Sequence, residues 1–433
     1  MSAENVCLTV MTRNEEENVL NMLASCDGLY SAVVWGFDDN TTDRTREIVT
    51  DYFSRKDISQ VFYEFTWTND FSAARNNYLN LALERFPEKP WLLILDGDDL
   101  LSPGNPEKDI PDGREMIKSV TSLPLEQFPY LGVNFYVHLD PDHHGIPSLF
   151  YPRIHLVRNL PSVRFEFASH NAITIPGEQQ ILLRECVILH HQKPKKRAER
   201  EVQRIEMNIP NLQDQGNGHE AETNTEKARG LFYLANTLLD AGDISGAITN
   251  YLLYLDLSTW NDERYQARIH LATAYMMQGD FPNAEVQAKQ AIALEPDQWS
   301  RAEGYMVLSD CCLSKGDSVE AVHWIRVATQ CKPRTNGLFL QGHLYTWFPH
   351  WRLAMIFDRL GCPLDALKHA ELASSWRPDD YIMESIAILQ QRIMELQARG
   401  IAIPEYDKSD ETVPMYAVSE QEALDRLGRC QSN

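Results

Sequence analysis

Four residues in a row, Asp96-Gly97-Asp98-Asp99, follow the apolar run Trp91–Leu95. Carboxylates one residue apart at the end of such a run are hard oxygen ligands, suited to a Mn²⁺ or Mg²⁺ ion that bridges two phosphates. A cation so placed would neutralise charge growing on a departing diphosphate. Three further clusters lie upstream. Leu8–Glu16 contains Thr12-Arg13-Asn14-Glu15-Glu16, Val34–Thr45 contains Asp38-Asp39-Asn40-Thr41-Thr42-Asp43, and Trp67–Asn76 contains Asp70 and Arg75. A carboxylate such as Asp38 can accept hydrogen bonds from a base or a ribose. An arginine such as Arg75 can make charge-assisted bonds to a diphosphate or a sugar. The same residues also have plainer readings. Thr41, Thr42 and Asp43 suit helix caps, and Asp70–Arg75 suits a capped helix start with a surface arginine.

Such groups need a scaffold that brings them together. Val6–Met11, Ala32–Phe37, Gln60–Phe65 and Trp91–Leu95 read as strands. Glu16–Cys26, Thr42–Phe53 and Asp70–Arg85 read as the helices between them. Alternation of this kind predicts βαβ units, a parallel sheet and helices on both faces. Ligands then sit beyond the carboxyl ends of the strands, where all four clusters fall.

The second half changes period. Gly242, Gly279 and Gly316 recur every 37 residues, and each is followed five residues later by Ala247, Ala284 or Ala321. Gly361 and Ala366 repeat the pair after a longer gap, and Pro296, Pro333 and Pro378 close three units. A turn glycine, a small residue where helices cross, and a helix-ending proline make up the tetratricopeptide pattern, which stacks into an α-solenoid. The insertion Thr335–Phe348, with Phe339, Leu340, Tyr345, Trp347 and Phe348, reads as packing between repeats or as a partner contact. The expected organisation is an α/β domain over 1–205, a polar linker over 206–227, repeats over 228–400 and a polar tail over 401–433. The tail holds a short helix candidate at Ser419–Leu427.

Composition narrows the function classes. The 433 residues carry 40 Lys and Arg against 62 Asp and Glu, a net charge of −22, which weighs against general binding to nucleic acid or anionic membranes. No apolar run reaches the roughly 18 residues of a membrane span, and Met1–Asn5 does not begin a signal pattern, so a cytoplasmic protein is expected. The eight cysteines form no CxxC pair and read as buried thiols. The basic run Lys193, Lys195, Lys196, Arg197 and Arg200 reads as a solvated helix face or a contact for an anionic substrate. His143 and His144 are acceptor-side candidates by position alone.

In their order and spacing, the four clusters resemble a subgroup of family 2 glycosyltransferases with the GT-A fold, whose loops read "[KR]NEE", "DTGSTDxTRE", "WxDDFSxARN" and "LDADE". Here they stand as Arg13–Glu16, Asp38–Glu47, Trp67–Asn76 and Leu95–Asp99. With repeats following, the plan is similar to that of peptide S-glycosyltransferases. The resemblance implies a nucleoside-diphosphate-sugar donor (UDP-linked), a Mn²⁺ or Mg²⁺ ion, a protein or peptide acceptor and inversion at the anomeric carbon. It implies that Thr12, Arg13 and Glu15 line the nucleotide pocket and that Asp38 contacts the base. Arg75 would sit near the diphosphate or donor sugar, and Asp96 and Asp98 would hold ribose and metal, with Asp98 the direct ligand. By the same alignment, His190 in Leu189-His190-His191 stands at the third metal ligand.

The chain departs from the family's "YEGxVHE" segment. Phe167 replaces the glycine and Asn171 the final glutamate, and an amide takes no proton at neutral pH. Glu166, Asp70 and His170 therefore remain the candidate catalytic groups. Asn69 also replaces the first aspartate of "DDF". Transfer to a glycan or modified DNA, and a non-catalytic repeat scaffold, are the alternatives that these departures and the basic run leave open. Oligomeric state is open as well.

Overall fold

A computed structural model describes residues 4–103, 112–167, 171–175, 179–190, 220–294, 301–333 and 338–406. The chain forms two compact units. One is built on the chain up to Asp142 together with the strands from Pro147 onward. The other joins the short stretch His143–Ile146 to the C-terminal helices.

The first unit begins β1 (Val6–Thr12), α1 (Val19–Ser25), β2 (Ala32–Asp38), α2 (Thr45–Ser54), β3 (Ser59–Phe65), α3 (Phe71–Arg85) and β4 (Trp91–Ile94). It continues β5 (Asp99–Leu101), α4 (Gly113–Ser122), β6 (Gly132–Leu139), β7 (Leu149–Arg158), β8 (Arg164–Glu166), β9 (Ala172–Thr174) and β10 (Gln180–His190). Eight strands form one sheet in the order β3-β2-β1-β4-β7-β6-β10-β5, and β8 and β9 form a separate hairpin. The strands β1 to β4 are parallel, as the sequence pattern predicts. Beyond them the sheet is mixed. β7 runs antiparallel to both β4 and β6, β10 is parallel to β6, and β5 is antiparallel to β10. The fully parallel expectation fails here because β6 and β7 are joined by a short loop with no crossover helix, and such strands can pair only antiparallel.

Strand periodicity distributes the core to two faces. Val33, Trp35 and Phe37 of β2 pack with Met22, Leu23, Val49 and Phe53 of α1 and α2. The alternate residues Ala32 and Val34 pack with Tyr78, Leu79 and Ala82 of α3. Helices on both faces explain why β2 is buried along its whole length and lacks polar alternation.

The second unit contains α5 (Glu220–Asp240), α6 (Ile244–Leu257), α7 (Asn261–Met277), α8 (Phe281–Ile292), α9 (Glu303–Ser314), α10 (Ser318–Gln330), α11 (Phe348–Arg359), α12 (Pro363–Trp376) and α13 (Asp380–Ala398). The first of these starts inside the polar stretch read as a linker. The repeat signature has a direct physical basis. Gly242, Gly279, Gly316 and Gly361 all take positive φ, between 75° and 83°, just after the first helix of a pair. The next amide then bonds back to the carbonyl five residues earlier, as in Asp280 to Tyr275 (2.9 Å) and Asp317 to Cys312 (3.0 Å). Asp243, Asp280 and Asp317 next cap the second helix, accepting from the amides of Gly246, Asn283 and Glu320. Ala247, Ala284, Ala321 and Ala366 are fully buried, which lets the paired helices approach. This is the tetratricopeptide plan in an α-solenoid.

The described part of the insertion belongs to this core. Leu340, Leu344 and Trp347 are buried, and the Tyr345 hydroxyl donates to the buried Glu303 carboxylate at 2.9 Å. The helix candidate at Ser419–Leu427 lies outside the described residues. No helix among the described residues is long and apolar enough to cross a membrane.

Candidate functional site: an acidic loop at the strand ends

The carboxyl ends of β1, β2 and β4 carry Thr12, Asp38 and the turn Asp96–Asp99. Asp38 is buried, and its Oδ1 accepts from the backbone N–H (2.9 Å) and the side-chain amide (3.0 Å) of Asn40. The exposed Arg13 reaches across to its other oxygen at 3.9 Å. The Thr12 hydroxyl accepts from the Trp35 indole N–H at 2.9 Å, so its methyl is fixed in direction. That methyl meets Gly97. A Cβ on Gly97 would lie 2.8 Å from Thr12 Cγ2 and 3.0 Å from Glu15 Cγ, so only glycine lets the acidic turn close onto β1.

The loops after β1 and β2 hold each other through reciprocal side-chain to backbone bonds. Asn14 Oδ1 accepts from the Thr42 amide (2.8 Å), and Asp43 Oδ2 accepts from the Glu16 amide (3.0 Å). Glu16 accepts from the Arg44 amide (3.0 Å), and the Glu15 amide donates to Thr45 Oγ1 (2.7 Å). Asn14 has φ of 54°, a left-handed conformation that asparagine tolerates better than most residues. Much of the shared motif is thus architecture. Thr42, Asp43 and Thr45 close the wall of the crevice, and Asp43 also accepts from the Thr45 amide at the start of α2.

One face of α3 organises the opposite wall. Asp70 caps the helix, accepting from the Ala73 amide at 2.9 Å. Ser72 Oγ donates to the Phe167 carbonyl (2.6 Å), and the Asn76 side chain pairs with both the N–H and the C=O of Phe165 (2.9 and 3.0 Å). Phe167 has φ of 71°, a strained choice for an aromatic residue at the place where the family carries glycine. Between these anchors the buried Arg75 donates to Asp96 Oδ1 at 2.6 Å and to the Tyr78 hydroxyl at 3.2 Å. Arg153 of β7 donates to Asp96 Oδ2 at 3.2 Å. Burial would raise the Asp96 carboxyl, but the charges of Arg75, Arg153 and His190 hold it far below the usual carboxylate range.

Asp96 therefore faces two arginines, while its neighbours face a histidine. His190 Nδ1 lies 3.0 Å from Asp99 Oδ1 and 3.7 Å from Asp98 Oδ1. Asp99 also accepts from the Asp96 amide through Oδ2 (2.8 Å), which closes the turn. Burial pushes Asp98 up to about 6 against the pull of His190. Burial opposes charge on His190 as well, but its bond to Asp99 and the adjacent carboxylates outweigh this and lift it to about 9. One ligand atom from each of Asp98, Asp99 and His190 lies within 4.8 Å of the others, a donor set of two carboxylates and an imidazole that fits Mn²⁺ or Mg²⁺.

Thr12, Glu15, Arg75, Asp96, Asp98 and His190 thus gather around one acidic turn, with Asp38 and Arg13 at the neighbouring strand end. Glu166 is exposed on β8, and Asp70 already serves as a helix cap. Asn171 has a buried side-chain nitrogen without a hydrogen-bond partner among the described residues. His170, His191 and the run from Lys193 to Arg200 lie outside the described residues. Sequence reasoning missed Asp99 as a possible ligand and Arg153 as the second cation on Asp96. The adjacency of Asp98 and Asp99 was a signal for the first, and the place of Arg153–Arg158 where the family carries an "RxxR" segment was a signal for the second.

A layered α/β unit of this kind has its ligand crevice beyond the carboxyl ends of its strands, where the acidic turn lies. Residues 7–110, which are 104 of the 433, match the family model described as Glycosyl transferase family 2, so the chain contains a domain of that family. The match supports glycosyl transfer as the chemistry of this unit. Among curated proteins none matches the chain. Solved structures similar to it include the crystal structure of MamA protein, at 18% identity over 48% of this chain and 95% of that one, with a TM-score of 0.31. A thermophilic TPR protein from Thermus thermophilus aligns at 16% identity over 46% and 94%, with a TM-score of 0.32. MamA from Desulfovibrio magneticus aligns at 16% over 44% and 89%, with a TM-score of 0.28.

Proposed function

We propose that the chain is a metal-dependent glycosyltransferase that moves a sugar from a UDP-linked donor to a protein or peptide acceptor, with inversion. The observation that carries this reading is the convergence of Asp98, Asp99 and His190 at the end of β4, beside Asp96 and its two arginines. A Mn²⁺ or Mg²⁺ ion on that donor set supplies positive charge to the leaving diphosphate. Asp98 and His190 are ligands in this reading, and Asp99 completes the set. Asp38 accepts from the base, Thr12, Arg13 and Glu15 line its pocket, and Arg75 and Arg153 receive diphosphate or sugar oxygens. Glu166 takes the acceptor proton on a carboxylate oxygen, since Asp70 is engaged as a cap and Asn171 cannot accept one. His170 is the remaining candidate for that role. The stacked repeats present an extended surface to a polypeptide, which favours a protein acceptor over a small one. Asn171, standing where the family has glutamate, favours a second reading in which the repeats act as a scaffold without turnover.

Calorimetric titration with UDP, with and without Mn²⁺, tests the proposal in the wild type and in Asp98→Ala. Metal-dependent binding that is lost in the variant supports it, and turnover of UDP-sugars then separates enzyme from scaffold. Absence of binding by UDP, GDP and other nucleotides overturns it.

A further inference from the structure

A second group of metal-type ligands lies in the helical unit, apart from the acidic turn, and includes His143 and His144, the pair read from sequence as acceptor-side candidates. His144 Nε2 is 2.9 Å and His143 Nε2 3.4 Å from the same oxygen, Asp379 Oδ1. The three ligand atoms lie within 4.8 Å of one another. In a tetrahedral site with bonds of about 2.0–2.1 Å, neighbouring ligand atoms stand about 3.3 Å apart. The two edges to Asp379 bracket that value and the third lies within 4.8 Å, so a cation is held once the imidazoles shift toward each other.

Two further observations concern Asp379. It stands at the N-cap of α13 and makes no side-chain cap bond, whereas Asp243, Asp280 and Asp317 all cap their own helices. Its carboxylate turns to the histidines instead. Its second oxygen, Oδ2, accepts from Arg377 Nε, and the Arg377 guanidinium is itself seated 4.6 Å over the Trp347 ring. A carboxylate whose outer oxygen is fixed in this way presents its inner oxygen in a set direction, the arrangement that orients ligands in metal centres. Exposure grades across the cluster from 11% for Asp379 and 17% for His144 to 71% for His143, which leaves an open path for an ion.

We propose that His143, His144 and Asp379 bind a divalent ion of the zinc class, separate from the acidic turn. Two imidazoles and one carboxylate select Zn²⁺, Ni²⁺ or Cu²⁺ over Mg²⁺ or Ca²⁺, which prefer all-oxygen sets. Arg377 shares the carboxylate charge, so the imidazoles carry most of the affinity. Three protein ligands leave a fourth position for water. The bound ion fastens the stretch His143–Ile146, whose Ile146 is buried among the helices, to the start of α13.

The test uses the full chain stripped with a chelator. Zn²⁺ is titrated in competition with a chromophoric chelator, and Co²⁺ is titrated for the absorption of a tetrahedral site. Asp98→Ala/His190→Ala removes the other cluster and should retain one Zn²⁺. Adding His143→Ala should weaken that Zn²⁺ by more than the roughly 10- to 100-fold typical of losing an outer-shell partner. His143 is exposed, so its loss leaves the fold intact. In the otherwise native chain, His143→Ala should lower the Zn²⁺ stoichiometry by one, which covers the case in which the double variant does not fold. Zn²⁺ binding that His143→Ala and His144→Gln leave unchanged overturns the proposal, as does a Zn²⁺ site that a folded Asp98→Ala/His190→Ala variant has lost.

Discussion

Arg75→Met is the sharpest probe of the acidic turn. The guanidinium is buried, lies 2.6 Å from Asp96 and rests 5.3 Å from the Phe165 ring. Methionine approximates its stem and removes the charge. Breaking a buried ion pair by deleting one partner costs about 3–5 kcal/mol. Asp96 keeps Arg153 at 3.2 Å, and its side chain is 23% exposed, which places the cost at the low end, about 3 kcal/mol. For a unit of this size that lowers its melting temperature by roughly 6–12 °C. Differential scanning calorimetry reads the shift. Adding Asp96→Asn should then recover part of the loss, because a neutral amide no longer needs two cations; a coupling of at least about 1 kcal/mol is expected for groups in contact. Asp96 is held below its ordinary range, so the pair contributes fully at neutral pH and its contribution fades as pH falls through the folded value. The acid side of the stability profile should therefore flatten in Arg75→Met. A cost under about 1 kcal/mol, or changes in the two substitutions that simply add to within about 0.5 kcal/mol, would refute the reasoning.

Gly97→Ala places a methyl 2.8 Å from Thr12 Cγ2, and overpacking of this kind costs about 1–3 kcal/mol. An unchanged melting temperature would show that the turn does not need the close approach. Asn14→Ala removes the acceptor for the Thr42 amide and puts alanine at φ of 54°, for a combined cost of about 2 kcal/mol. Asn14→Asp keeps the acceptor and should cost much less, so equal losses in a denaturation series would count against the interlock. Burial pushes the His155 imidazole down to about 4, so the unfolded chain binds the extra proton between pH ~6.5 and ~4. Stability should fall by about 3 kcal/mol as pH drops through that window, and His155→Phe, which keeps the stack on Phe135, should lessen the slope. Denaturation at several pH values measures it, and identical slopes would contradict the assignment.

The parts of the fold that a sequence can show are those set by local chemistry. Trp91–Leu95 is apolar because helices cover both faces of a central strand, and the turn glycines recur because each must reach positive φ. The acidic turn was readable as far as its composition. Which carboxylate faces which partner was not, because three aspartates in four residues are sorted by one tight turn. That turn sends Asp96 to arginines from α3 and β7, and Asp99 to β10. Arg153 arrives from a strand whose antiparallel direction follows from a loop length rather than from periodicity. Asp43 reads as a helix cap in the sequence, and Asn14 and Thr45 stand there only as members of the motif loops. Their mutual bonds depend on how two loops meet, and single-chain spacing does not encode that.

The reciprocal bonds between the loops after β1 and β2 have a consequence for ligand entry. The amides of Glu15, Glu16, Thr42 and Arg44 are each closed by a side chain of the other loop, so neither loop can loosen alone. Ordering a flexible backbone costs about 1–2 kcal/mol per residue, and this wall has already met that cost on folding. A nucleotide arriving there meets a surface that is set in advance, and less of its contact energy is lost to ordering the protein. Association at this wall should therefore be limited by encounter rather than by loop closure, and small changes in the crevice should register mainly in how fast the ligand leaves.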